Sequence, residues 1–131
     1  MAEENSKKVM LIDDDTLLLD MYGMKFENNG FEVEKCQSVE ICISKLEEGY
    51  LPDVLMFDMV MPMMDGETLI KSIRDKKYVP KAKMFVLSNQ GQESDIDDEI
   101  KRLGVDGYIV KASHTPSQVV EKVKNILGIK K

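Results

Sequence analysis

The chain has no tryptophan, a single histidine and only two cysteines among its 131 residues. Cys36 and Cys42 match no common zinc spacing, and His114 stands far along the chain, so a structural zinc site is not expected. The two thiols read instead as small hydrophobes packed in a reduced protein. A lone loop histidine such as His114 reads as a solvated surface residue. No apolar stretch approaches the roughly 20 residues that a membrane span requires. The first eight residues are polar and acidic rather than a basic segment feeding an apolar run, so no signal peptide is read. These absences lead to the expectation of a cytoplasmic protein with no membrane partner. A net charge of −6 argues against direct nucleic-acid binding, which draws on clustered positive charge.

What the chain does have is alternation. At 131 residues one domain can bury a core without metal or disulfide staples. Residues 1–6 read as a disordered lead, 7–128 as the folded domain and 129–131 as a basic tail. Five short apolar runs alternate with five helical periods. The first run, about Lys8 to Ile12, leads to a helix from about Thr16 to Asn29, stopped at Gly30. Phe31 to Lys35 is a less apolar strand, suited to a sheet edge. Val39, Cys42, Ile43 and Leu46 fall at helical spacing, and Val54 to Phe57 form the third strand. Leu69, Ile70 and Ile73 mark the next helix, Met84 to Leu87 the fourth strand, and Ile96, Ile100 and Leu103 a helix with an acidic opposite face. Tyr108 to Val110 complete the strands. Thr115, Pro116 and Gln118 compose a capping box ahead of a helix with a core stripe of Val119, Val120, Val123, Ile126 and Leu127. Strands separated by crossover helices give an α/β fold: a (βα)5 doubly wound, parallel five-stranded sheet of order 2-1-3-4-5, flavodoxin-like.

Ligands in such sheets bind beyond the carboxyl ends of the strands, at the switch in strand order between the first and third. Asp13 and Asp14 close the first strand there, and Asp58 closes the third. Ser88 ends the fourth and Lys111 the fifth. Three carboxylates at about 4–6 Å and an effective dielectric near 20 repel by about 3–4 kcal/mol per pair, so a proton or a cation must offset them. Oxygen-only donors favour a hard ion such as Mg²⁺. Asp15 is better read as the cap of the first helix. Lys111 is expected to pair with Asp58 at rest and to hold an incoming phosphoryl oxygen, which the Ser88 hydroxyl can also bond. A carboxylate nucleophile, a hard ion, a lysine and a hydroxyl suit phosphoryl transfer to an aspartate.

With Ile12-Asp13-Asp14-Asp15, the run from Asp58 to Gly66 (DMVMPMMDG), Leu87-Ser88 and Tyr108-Ile109-Val110-Lys111 in this order, the sequence resembles the receiver domain of two-component response regulators, of the single-domain chemotaxis-regulator type. The resemblance covers about Lys7 to Leu127. It implies Asp58 as phosphoacceptor, with Asp13, Asp14, Asp58 and the backbone carbonyl of Val60 holding Mg²⁺ (or Mn²⁺). It implies Ser88 and Lys111 as switch residues and Tyr108 as the aromatic whose rotamer reports phosphorylation. A histidine kinase or histidine phosphotransfer protein would be the donor. The fourth helix, fifth strand and fifth helix (the α4-β5-α5 face) would meet a downstream protein target. The resemblance implies a switch, not an enzyme, beyond self-phosphorylation and autodephosphorylation. Ala112 stands where the family usually has a proline in a cis peptide, and Asn89 replaces a smaller residue. The alternative reading is an unphosphorylated, receiver-like protein-binding module. A metal-dependent phosphohydrolase fits less well, since such enzymes commonly carry a second Asp where this chain has Val60.

Overall fold

The computed structural model describes residues 7–58, 66–76, 82–88 and 96–128. Over these the chain runs β1 (Lys8–Ile12), α1 (Thr16–Asn28), β2 (Glu32–Cys36), α2 (Val39–Glu47), β3 (Val54–Phe57), α3 (Gly66–Lys76), β4 (Lys83–Ser88), α4 (Ile96–Leu103), β5 (Gly107–Val110) and α5 (Pro116–Leu127). The strands pair in parallel in the order β2-β1-β3-β4-β5, as the alternation of runs and periods requires. The expected lead, residues 1–6, and tail, residues 129–131, lie outside the described residues.

Successive strand side chains point to opposite faces of the sheet, and the apolar runs supply both. Met10, Ile12, Leu55, Phe57 and Val86 pack with Cys42, Leu46, Leu69 and Ile73 on the face covered by α2 and α3. Val9, Leu11, Val54, Met56 and Phe85 pack with Leu19, Phe26, Val119 and Val123 under α1 and α5. All four residues of β3 are buried, and so are all four of β5. Edge strand β2 buries only Cys36, in keeping with its polar sequence. Both cysteines are free and buried, with Cys42 Sγ 3.6 Å from Met10 Sδ.

Two local readings shift. The second strand begins at Glu32, one residue later than the apolar pattern indicates, because Phe31 belongs to the end of α1. Its N–H bonds the Phe26 carbonyl, and its ring meets Phe26 edge-on at 5.0 Å. On α5, Val119, Val120 and Val123 are buried and Leu127 packs against the same cluster as expected, but Ile126 is 44% exposed while Lys124 is buried. Lys124 Nζ lies 3.4 Å from Asn29 Oδ1 at the end of α1. The helix starts agree with expectation. Asp15 accepts from the N–H groups of Leu17 and Leu18, and Thr115 and Gln118 form the reciprocal capping box, with Gly128 closing α5 at φ 77°. Gly107 is required for another reason: a Cβ there would stand 2.7 Å from the Phe85 ring.

Candidate functional site

The ladder bonds that run one residue past the strand ends set the site. Asp13 N–H donates to the Cys36 carbonyl at 3.1 Å, and Asp58 N–H to the Ile12 carbonyl at 3.4 Å. Ile12 pairs with Phe57, so Asp13 and Asp58 leave neighbouring strands at one level. Ser88, the last residue of β4, pairs with Val110, and Lys111 follows directly. Register alone therefore brings residues from four strands to one mouth.

Their side chains interlock there. Lys111 Nζ lies 2.9 Å from Asp13 Oδ2 and 2.8 Å from Asp58 Oδ2. Ser88 Oγ donates to Asp58 Oδ1 at 2.9 Å, and Asp13 Oδ1 accepts the Asp15 N–H at 2.9 Å. Asp13 and Ser88 are buried. Burial raises the Asp13 pKa above the usual carboxylate value, with the Asp58 charge adding to it, although Lys111 and the Asp15 N–H pull the other way. Burial also works against the Lys111 ammonium. Its hydrogen bonds to Asp13 and Asp58 more than offset this, so its pKa stands above that of an ordinary lysine. One cation thus faces two carboxylates, and Asp14 adds a third at the exposed rim.

Tyr108 is buried on β5. Its phenol pKa is raised by burial and then by the Glu99 and Asp58 charges, which places it in the field of both α4 and the site. Val60 and Asn89 lie outside the described residues. The Lys111–Ala112 peptide is trans. His114, read from sequence as a surface residue, is half-buried, and its ring Nδ1 lies 2.9 Å from the Val110 carbonyl oxygen. Its position three residues after Lys111 is the only signal that marks it. On α1, Leu17, Met21 and Met24 fall at helical spacing and are 78%, 43% and 62% exposed.

No three His, Cys, Asp or Glu side chains among the described residues stand close enough to share an ion. The chemistry of the donor set nonetheless fits a hard divalent cation. Its donors are carboxylate oxygens, and their negative charge exceeds what Lys111 supplies.

A doubly wound five-stranded sheet whose switch point carries a bonded Asp–Lys–Ser cluster defines a class of signalling domain rather than a general α/β scaffold. The model of the response regulator receiver domain matches residues 9–124, and the chain belongs to that family, the receiver domains of two-component systems. It is 30% identical over 128 residues to the transcriptional regulatory protein ResD of Bacillus subtilis, covering 97% of this chain and 50% of that protein. It is 32% identical over 121 residues to the chemotaxis protein CheY of Thermotoga maritima, covering 92% of this chain and 97% of that one. The chain thus spans about half the length of several curated relatives and nearly all of others. The structure of CheY4 of Vibrio cholerae superposes with a TM-score of 0.80 at 22% identity, over 93% of this chain and 99% of that one, which supports the fold. No helix among the described residues is long and apolar enough to cross a membrane.

Proposed function

We propose that Asp58 accepts a phosphoryl group from a histidine kinase or a histidine phosphotransfer protein, and that the chain works as a stand-alone cytoplasmic switch. One observation carries this reading: the two oxygens of Asp58 are held by different donors, Ser88 at Oδ1 and Lys111 at Oδ2. Both donors can follow negative charge from the carboxylate onto a phosphoryl group bonded to it.

An Asp58 oxygen attacks phosphorus, and the O–P bond forms as the bond from phosphorus to the donor imidazole nitrogen breaks. The electron pair leaves with the imidazole, which takes a proton from solvent. Lys111 then exchanges one of its carboxylate contacts for a phosphoryl oxygen, and Ser88 turns its hydroxyl to another. Asp13, Asp14 and Asp58, with the carbonyl of Val60, would hold Mg²⁺ or Mn²⁺, which when bound supplies charge stabilisation for the transferring group. Attack by water returns the free carboxylate, so the chemistry is self-phosphorylation and autodephosphorylation.

The readout passes through Ser88, Tyr108 and Lys111 to the α4-β5-α5 face and a downstream protein. Support for movement there comes from α4, which fully buries only Leu103 and is therefore lightly held. The exposed apolar side chains Leu17, Met21 and Met24, at helical spacing on α1, support a protein donor over a small one, since exposed apolar surface favours a protein partner.

A second reading, a constitutive binding module, draws on the fact that Lys111 already satisfies both Asp13 and Asp58. Incubation with Mg²⁺ and acetyl phosphate separates the two. The switch predicts one phosphoryl adduct by intact mass, absent in Asp58→Asn. The module predicts no adduct from acetyl phosphate or from a phosphohistidine donor. Turnover of an external ester has little support, because this chain has Val60 where such enzymes commonly carry a second Asp.

A further inference from the structure

Lys111 is carried by a single short turn. β5 ends at Val110, Lys111–Ser113 form one 3-10 turn, and the Val110 cap position makes no side-chain hydrogen bond. Ala112 and Ser113 are exposed. The backbone bond that closes the turn, from His114 N–H to the Lys111 carbonyl, is long at 3.3 Å. Turns of this kind have poorer hydrogen-bond geometry than an α-helix. Yet the lysine launched from it must place one ammonium within 2.9 and 2.8 Å of two carboxylates, on a flexible four-carbon stem.

His114 adds a further restraint. Its ring Nδ1 lies 2.9 Å from the Val110 carbonyl oxygen, while its own N–H reaches the Lys111 carbonyl. A carbonyl oxygen can only accept, so Nδ1 carries the proton, in the neutral ring as in the imidazolium. The bond therefore persists in either charge state. Through it the residue before Lys111 is tied to the residue before the Thr115 cap of α5, and Lys111 sits in a loop closed from both sides.

We propose that His114 is a positioning residue, whose ring N–H clamps the Val110 carbonyl and so aims the Lys111 ammonium at Asp13 and Asp58. The consequence for phosphoryl transfer rests on the function proposed above, whereas the placement of the ammonium does not.

The test compares the full chain with His114→Ala, His114→Asn and His114→Gln. An asparagine amide N–H falls near the place of Nδ1, and a glutamine amide near that of Nε2, so only asparagine restores the clamp. Two readouts are taken: the ¹H–¹⁵N resonance of the Lys111 ammonium, assigned by its loss in Lys111→Met, and the initial rate of adduct formation from acetyl phosphate with Mg²⁺. His114→Asn is expected to keep the resonance and a rate within about twofold of wild type, while His114→Ala and His114→Gln broaden the resonance and slow the rate about fivefold, the scale of one net hydrogen bond. A wild-type Lys111 resonance in a folded His114→Ala protein would overturn the proposal. Equal behaviour of the asparagine and glutamine variants would do the same, and this contrast decides the matter if the alanine variant does not fold. If the wild type takes up no phosphoryl group while the resonance pattern holds, the clamp stands and the proposed function falls.

Discussion

Ser88 and Lys111 divide the carboxylate of Asp58 between them: Ser88 Oγ is 2.9 Å from Oδ1 and Lys111 Nζ is 2.8 Å from Oδ2. The same ammonium bonds Asp13 at 2.9 Å, so one cation restrains two buried or half-buried carboxylates. A cation entering among these carboxylates competes with that ammonium, which makes Lys111 a structural element as well as a signalling one.

Lys111→Met leaves Asp13 and Asp58 facing each other with no ammonium between them. Removing one partner of a largely desolvated ion pair is expected to cost about 3 kcal/mol, read from urea unfolding. Asp13→Asn in the same chain removes the repulsion and recovers at least half of the loss. A double-mutant cycle gives the coupling. Mg²⁺ stabilises Lys111→Met more than it does wild type, because the two cations contend for the same oxygens.

Gly107→Ala tests the packing of β5 against β4. The added carbon would stand 2.7 Å from the Phe85 ring, and an overpacked core site costs about 1–3 kcal/mol. Phe85→Leu in the same chain relieves the contact and returns part of the stability, measured by thermal unfolding of the two single variants and the double variant.

Tyr50 gives a pH dependence with a definite sign. Its phenol pKa is pushed up to about 12, first by burial and then by Glu34, Glu32, Cys36 and Asp53. An unfolded tyrosine ionises near pH 10, so between about pH 10 and 12 the native state binds more protons and stability falls as pH rises. Solvent screening at this partly exposed group limits the loss to the order of 1 kcal/mol. Comparing urea midpoints of wild type and Tyr50→Phe at the two ends of that window isolates the contribution. Tyr50→Phe also removes a phenolate phase near pH 12 from the absorbance titration.

The fold was legible because buried parallel strands announce themselves as continuous apolar runs, and all of β3 and β5 is buried accordingly. The cluster was legible because Asp13, Asp58, Ser88 and Lys111 each sit at a strand end, where register does the assembling. Side-chain choices made by neighbours were not legible. Phe31 reads as strand but serves the end of α1, and Lys124 is buried on α5 with Asn29 within reach of its ammonium. His114 escaped because its partner is a backbone carbonyl, which has no sequence signature. Asp14 is exposed in the bend after β1 while Asp13 beside it is buried, a difference that the adjacent pair of aspartates does not announce.

The most direct measurement of the central claim is the location of the phosphoryl group. After reaction with acetyl phosphate and Mg²⁺, borohydride converts an aspartyl phosphate to homoserine, which peptide mass mapping can place. The account predicts homoserine at position 58 alone, and none in Asp58→Asn. Homoserine at Asp13 or Asp14, or an unmodified chain after treatment with both acetyl phosphate and a phosphohistidine donor, would contradict it.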